Sequence, residues 1–276
     1  MLELMYITNQ PKVAEIAQKY GVDRIWVDLE TLHKEERQRN LDTVKSHHKT
    51  EDIPRIKEVL HSSALMVRVN PMNENSGQEI EKVLSYGVDY VMLPMWKTVA
   101  EVRAFLRLVR GRTKTILLLE TKEAVSCLDD VLRNGGFDEL HIGLNDLHLS
   151  YGLTFMFELV SNGVVETICT KCRKANIPYG FGGIAQLGAG MLPAEKIVAE
   201  HYRLHSTRAI LSRSFCNADS VGDLREIENI FRNNMESLRA YEREVETYTP
   251  AQFQSNKQEI DFRVEQIVKK KRASIA

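Results

Sequence analysis

Eight short apolar runs, each followed by a stretch of helical spacing, fill the chain up to about residue 215. The runs cover residues 4–7, 24–30, 64–70, 90–94, 115–119, 139–144, 177–180 and 208–212. Between them lie helical patterns at 11–20, 54–61, 77–85, 99–109, 123–133, 155–175 and 193–204, several closed by glycine (Gly21, Gly87, Gly111, Gly135). Successive runs start roughly 20 to 40 residues apart, enough for a crossover helix each time, so the strands are expected to run parallel. Eight such units predict a TIM (β/α)8 barrel, with a doubly wound open sheet as the alternative. The polar stretch at 31–50 is too long for a tight turn and is expected to be a functional loop or a loop with a short helix.

Beyond residue 218 the pattern changes. Residues 223–246 place Leu224, Ile227, Ile230, Phe231, Met235, Leu238 and Tyr241 at helical spacing, and a second charged helix is expected at about 252–270. The division expected is a barrel over 1–218 and a helical extension over 219–276, which either ends the domain or packs on a neighbouring subunit. The terminal KKKR cluster reads as a solvated end. A net charge of -1 gives no reason to expect nucleic acid or an anionic membrane as partner, and no apolar run approaches the roughly 20 residues of a membrane span. Four irregularly spaced cysteines suggest no disulfide framework, and the opening MLELMYITNQPKVAE lacks the basic flank and long apolar run of a signal peptide. A cytoplasmic location is the expectation.

In a barrel of this kind the chemistry collects at the C-terminal ends of the strands. Those ends carry Asp28 and Glu30, Arg68 and Asn70, Pro94 and Trp96, Glu120, Asn145 and Asp146, the Gly182 region and Arg213. Glu120 and Asp146 end neighbouring runs and offer hard oxygen ligands suited to Mg²⁺ or Mn²⁺. Such acids also serve as helix caps, which is the structural alternative for Asp146. Arg68, set among apolar residues in LMVRVNP, needs an anionic partner. That partner is either Asp28 or Glu30, or a carboxylate substrate gripped by the planar guanidinium.

Five motifs in order, VDLE at 27–30, VRVNP at 67–71, GVDYVMLP at 87–94, ETKEAV at 120–125 and GLNDLHLSYG at 143–152, resemble the HpcH/HpaI aldolase and citrate lyase family of phosphoenolpyruvate/pyruvate-binding barrels. The resemblance runs from about residue 20 to 215. It implies Glu120 and Asp146 as ligands of a divalent metal, Mg²⁺ or Mn²⁺. It implies Arg68 against the carboxylate and enolate oxygen of a pyruvate-like substrate, with Pro94 and the backbone of Gly143, Leu144 and Asn145 helping to bind it. Asp28 and Glu30 would orient neighbouring groups. The reaction implied is carbon–carbon cleavage or formation through an enolate of a 2-keto acid, by a homo-oligomer, a trimer or hexamer. The chain departs from the pattern at Thr31, where the aldolases often carry histidine, and at Leu118, where they tend to carry glutamine. Lys34, Arg37 and Gln38 after DLE lean toward the citrate-lyase side, and no separate coenzyme A signature is present. His33, and after it His47 and His48, are the candidates to replace the missing histidine as base.

Two other activities fit the same residues: a transferase or condensing enzyme adding a pyruvyl unit to a sugar-like or acyl acceptor, and a non-catalytic binding protein on an old barrel. Cys169 and Cys172 form a lone C-x-x-C within a helical pattern, a zinc or redox pair in one reading and core residues in the other. Gly182, Gly183, Gly188 and Gly190 either cradle a phosphate or carboxylate or form a crossover loop. Arg213 is expected at the mouth or on the surface, and Met95 and Trp96 in the pocket wall or the core.

Overall fold

A computed structural model describes residues 1–32 and 48–273. Eight parallel strands close into a barrel in sequence order: β1 (Glu3–Ile7), β2 (Arg24–Asp28), β3 (Ala64–Arg68), β4 (Tyr90–Leu93), β5 (Lys114–Leu119), β6 (Glu139–Ile142), β7 (Tyr179–Ile184) and β8 (Arg208–Leu211). The TIM barrel is therefore the fold, and the open sheet is excluded, because β1 pairs with β8 as well as β2. The helices are α1 (Pro11–Lys19), α2 (Asp52–Val59), α3 (Ser76–Ser85), α4 (Val99–Val109), α5 (Lys122–Asn134), α6 (Leu144–Ser150), α7 (Glu158–Ser161), α8 (Val164–Lys174), α9 (Ala194–Arg203), α10 (Ala218–Val221), α11 (Leu224–Val245) and α12 (Pro250–Ala273). None is long and apolar enough to cross a membrane.

Strand alternation sorts the side chains into two cores. Leu4, Ile25, Val27, Leu65, Val67, Val91, Leu117, Leu119, Leu140 and Ile142 face outward into the large core beneath the helices. Met5, Trp26, Met66, Tyr90, Met92, Ile116 and Leu118 fill the barrel itself. The floor, at the N-terminal strand ends, is ionic. Arg24 donates to both oxygens of Glu139 (2.6 and 2.9 Å) and lies 4.0 Å over the Tyr90 ring, while Arg208 reaches the same Glu139 at 2.7 Å. Acceptors matched to each cation make the burial of this group tolerable.

Two expectations shift in detail. The helix expected over 155–175 breaks into α7 and α8, because Gly163 adopts φ +83° before Val164 restarts the helix. β7 lies later than expected and includes Gly180, Gly182 and Gly183. A Cβ at Gly180 would stand 2.3 Å from the Arg208 carbonyl oxygen, so only glycine lets β7 approach β8 here. Gly182 and Gly183 are thus strand residues, with a register irregularity beside them, and the crossover begins after them.

The extension folds back onto the barrel of its own chain. α11 packs on α1 and α9, and α12 packs on α9 and α7. Ile227, Phe231, Met235, Leu238, Ile260 and Val264 join the same outer core as the strands. Asp223 caps α11 by accepting from the Arg225 amide at 2.8 Å. The amide of Leu2, just before β1, donates to Glu242 of α11 at 2.6 Å.

Candidate active site

The C-terminal end of β2 and the end of β3 meet in a buried ionic triad. Arg68 donates from Nε to Asp28 Oδ1 and from Nη2 to Asp28 Oδ2, both at 2.8 Å, and lies 3.2 Å from Glu30 through Nη1. Asp28 and Glu30 are each 1 % exposed. Burial works against the guanidinium charge, but Asp28 and then Glu30 outweigh it and hold Arg68 well above its ordinary range, with Glu120 adding to the pull. Of the two roles open to Arg68, the structure shows the ion pair, and the pair is the bidentate one that arginine geometry favours. The chain beyond Glu30 is pinned across to β3, where Asn70 Oδ1 accepts from the amides of Thr31 (2.9 Å) and Leu32 (3.1 Å). Thr31, found where a histidine is expected, thus contributes its backbone.

His33 and His47 lie outside the described residues. His48 is described, and its Nδ1 accepts from the Asp28 amide at 3.0 Å. The Asp28 amide thus occupies Nδ1 of this candidate base.

Glu120 and Asp146 are brought to one cavity of ≈ 290 Å³. Glu120 follows the last residue of β5 and is 3 % exposed. Its Oε1 accepts from the Met95 amide at 3.0 Å, an approach made by a left-handed turn at Met95 (φ 53°) directly after Pro94. Pro94 is itself buried and shapes this turn. On the other side, a Cβ at Gly143 would lie 2.8 Å from Glu120 Oε2, so the absence of a side chain there makes room for the carboxylate. Asp146 is not a strand-end residue. β6 stops at Ile142, Gly143 is the N-cap of α6, and Asn145 and Asp146 lie in the first turn of that helix. The N-cap is itself a glycine, so it brings no side chain to cap the helix. The Gly143 amide donates to the Leu119 carbonyl at 2.9 Å and so extends the sheet; it is spent for a substrate, contrary to expectation. Leu144 turns inward, 1 % exposed, against the face of Gly182 that a Cβ would occupy.

Two carboxylates on one cavity match the donor set of a hard divalent ion, since Mg²⁺ is commonly held by one or two carboxylates with water and substrate completing its shell. Among the described residues no group of three or more His, Cys, Asp or Glu forms a closed metal cage. A two-carboxylate site falls below that number, and the residues present fit the ion.

The remaining candidates divide cleanly. Cys169 and Cys172 face the core from α8; burial raises both thiols, Cys172 to about 12, which suits packing and not metal or redox chemistry. The Gly188 amide is taken by Glu195 Oε1 at 2.7 Å. Arg213 is exposed beyond β8, Trp96 is buried in the outer core, and Met95 lines the cavity. Sequence reasoning missed Lys97 and Glu123, which share that cavity. The signal for them was present in T-x-x-E at Thr98–Glu101 and in Thr121, both of which cap helices beside it.

A family model described as HpcH/HpaI aldolase/citrate lyase matches residues 3–181. Solved structures of similar fold include an HpcH/HpaI aldolase from Desulfitobacterium hafniense DCB-2, at 14% identity and TM-score 0.62 over 82% of this chain and 93% of that one. An HpcH/HpaI aldolase/citrate lyase family protein from Burkholderia cenocepacia J2315 gives 15%, 0.60, 82% and 94% for the same four quantities. RipC from Yersinia pestis gives 16%, 0.56, 84% and 95%. No curated protein matches the sequence. At these identities the structures support the fold, while the motif-bearing part of the chain, residues 3–181, matches the family model itself.

Proposed function

This chain belongs to the HpcH/HpaI aldolase/citrate lyase family, and we propose that it is a divalent-metal-dependent lyase that cleaves or forms a carbon–carbon bond next to a 2-keto acid. The observation that carries this reading is the convergence of Glu120 and Asp146 on one cavity, with Arg68 close enough to Glu120 to feel its charge. Glu120 and Asp146 would hold the ion, Mg²⁺ or Mn²⁺, which when bound supplies a Lewis acid for the keto acid's developing negative charge.

In the cleavage direction, the hydroxyl proton of a 4-hydroxy-2-keto acid passes to water, the new carbonyl forms as the C3–C4 bond breaks, and the electron pair of that bond is delocalised as the pyruvate enolate. Protonation at carbon completes the cycle. Arg68 supplies a fixed cation beside the site. Because Asp28 grips it through two bonds, it needs no reorganisation as charge develops. Asp28 and Glu30 also temper its charge, which keeps a carboxylate product from being held too tightly. The buried wall of Trp26, Met66 and Leu118 keeps water from below.

Enolate formation can be read without knowing the acceptor, through exchange of pyruvate methyl protons with D2O followed by NMR. Exchange is expected with Mg²⁺ or Mn²⁺ and is expected to vanish with EDTA and in Glu120→Ala and Asp146→Ala. Titration calorimetry should show metal affinity falling at least about tenfold in each variant, a loss of about 1.4 kcal/mol. Unchanged metal affinity in both variants would sink the assignment.

A further inference from the structure

The guanidinium of Arg68 is gripped along its edge by Asp28, and from beneath it meets a residue that none of the five motifs contains. Trp26 stands two residues before Asp28 on β2, and Asp28 pairs in register with Arg68 of β3. Strand alternation turns Trp26 and Asp28 the same way, into the barrel, so the indole lies one layer deeper than the carboxylate. The guanidinium carbon of Arg68 is 4.9 Å from the centroid of the Trp26 ring. Trp26 is 2 % exposed and belongs to the interior core with Met66 and Leu118. Among the described residues its indole N–H has no acceptor, so the ring is fixed by packing and by the cation above it.

The two contacts on Arg68 do different things. A carboxylate holds the hydrogen-bonding edge and offsets the charge. An indole attracts the cation through its ring quadrupole and carries no net charge, so it sets position while leaving the charge free to act. Indole is the strongest of the natural rings in this role. An aliphatic side chain would fill the same space, as Met66 and Leu118 do in the same core, but would offer the guanidinium no attraction. The device recurs at the other end of the barrel, where Arg24 lies 4.0 Å over Tyr90. There the cation is sealed against Glu139 and serves the fold. At the mouth the cation stands beside the candidate active site.

We propose that Trp26 is a positioning residue for the reaction: its ring sets the height of the Arg68 guanidinium at the barrel mouth, where the cation meets the negative charge developing on the keto acid. Trp26 does not line the cavity of Glu120 and Asp146, so it acts through Arg68. The assignment rests on the lyase reading above and deepens it.

The test follows exchange of pyruvate methyl protons with D2O in the presence of Mg²⁺, with metal affinity by calorimetry as the sign of an intact site. Trp26→Leu keeps an apolar side chain and removes the ring, whereas Trp26→Phe keeps a ring. Trp26→Leu is expected to lower the kcat of exchange about tenfold, with the KM for pyruvate and the metal affinity unchanged, because the lost interaction acts on developing charge. Trp26→Phe should stay within about threefold of wild type. In an Arg68→Gln protein, adding Trp26→Leu should lower kcat no further. A second readout leaves Trp26 in place. The chain has 2 tryptophans, so Trp96→Phe protein emits from Trp26 alone. Its emission should change when pyruvate is added with Mg²⁺, and Arg68→Gln should abolish that response. A wild-type kcat in Trp26→Leu, equal losses in Trp26→Leu and Trp26→Phe, or an emission indifferent to Arg68 would overturn the role of Trp26 and leave the lyase reading standing. If wild-type protein shows no metal-dependent exchange, the lyase reading fails and this assignment falls with it.

Discussion

At the scale of single residues, the site is built as much by what is missing as by what is present. Gly143 has an ordinary backbone conformation; its constraint is space, with Glu120 Oε2 where a β-carbon would sit. Gly143→Ala is therefore expected to leave the fold intact but push the Glu120 carboxylate aside. Metal affinity by calorimetry should drop about tenfold or more while the melting temperature moves by only a few degrees. Sequence alone could place Glu120, Asp146, Arg68, Asp28 and Glu30 at the barrel mouth, because each follows or ends an apolar run. It could not show that the Gly143 amide serves the sheet, nor that His48 binds the Asp28 backbone, since both depend on contacts between segments far apart in the chain.

At the scale of elements, the strands were the most legible part, because each needs an outward row of branched aliphatic residues to bury against helices. β7 was the least legible. Its YGFGGI lacks that row, and its glycines answer to the neighbouring β8 backbone and to Leu144 rather than to local preference. The start of α6 was read as a strand end for a similar reason, as LHIGLND is apolar on both sides of the real boundary. The strand starts carry the other consequential feature, the floor cluster around Arg24. Arg24→Met leaves Glu139 buried with Arg208 as its remaining partner, and should cost about 3 kcal/mol in urea denaturation. The double variant Arg24→Met with Glu139→Leu should recover part of that loss, because it removes the stranded charge along with its partner.

At the scale of the whole molecule, two fully buried histidines tie stability to pH. His141 sits inside the barrel, with Nε2 at 3.2 Å from the Gly182 carbonyl; His201 stacks on Phe181 at 3.9 Å on the helical side. Burial lowers His141 to about 4 and His201 to about 3. Both stay neutral in the fold, whereas an unfolded chain protonates them near 6.5. Their contribution is therefore intact above pH 6.5 and is lost as pH falls from there toward 4, at a cost on the order of 3 kcal/mol or more for each. Chemical denaturation at pH 7.5, 5.5 and 4.5 should show this decline, and His201→Phe should flatten part of it. A variant as pH-sensitive as the wild type would count against His201 as a source.

The bond from the Leu2 amide to Glu242 spans 240 positions, and β1 must also find β8 before the barrel closes. At synthesis speeds of roughly 5–20 residues per second, the first strand waits roughly 10–50 seconds for the partners that complete it. Until then its outer edge offers unpaired amides and carbonyls to any passing strand. The nascent chain thus stays open to misassembly until β8 and α11 have been made, and the span from β8 through α11 decides when that exposure ends.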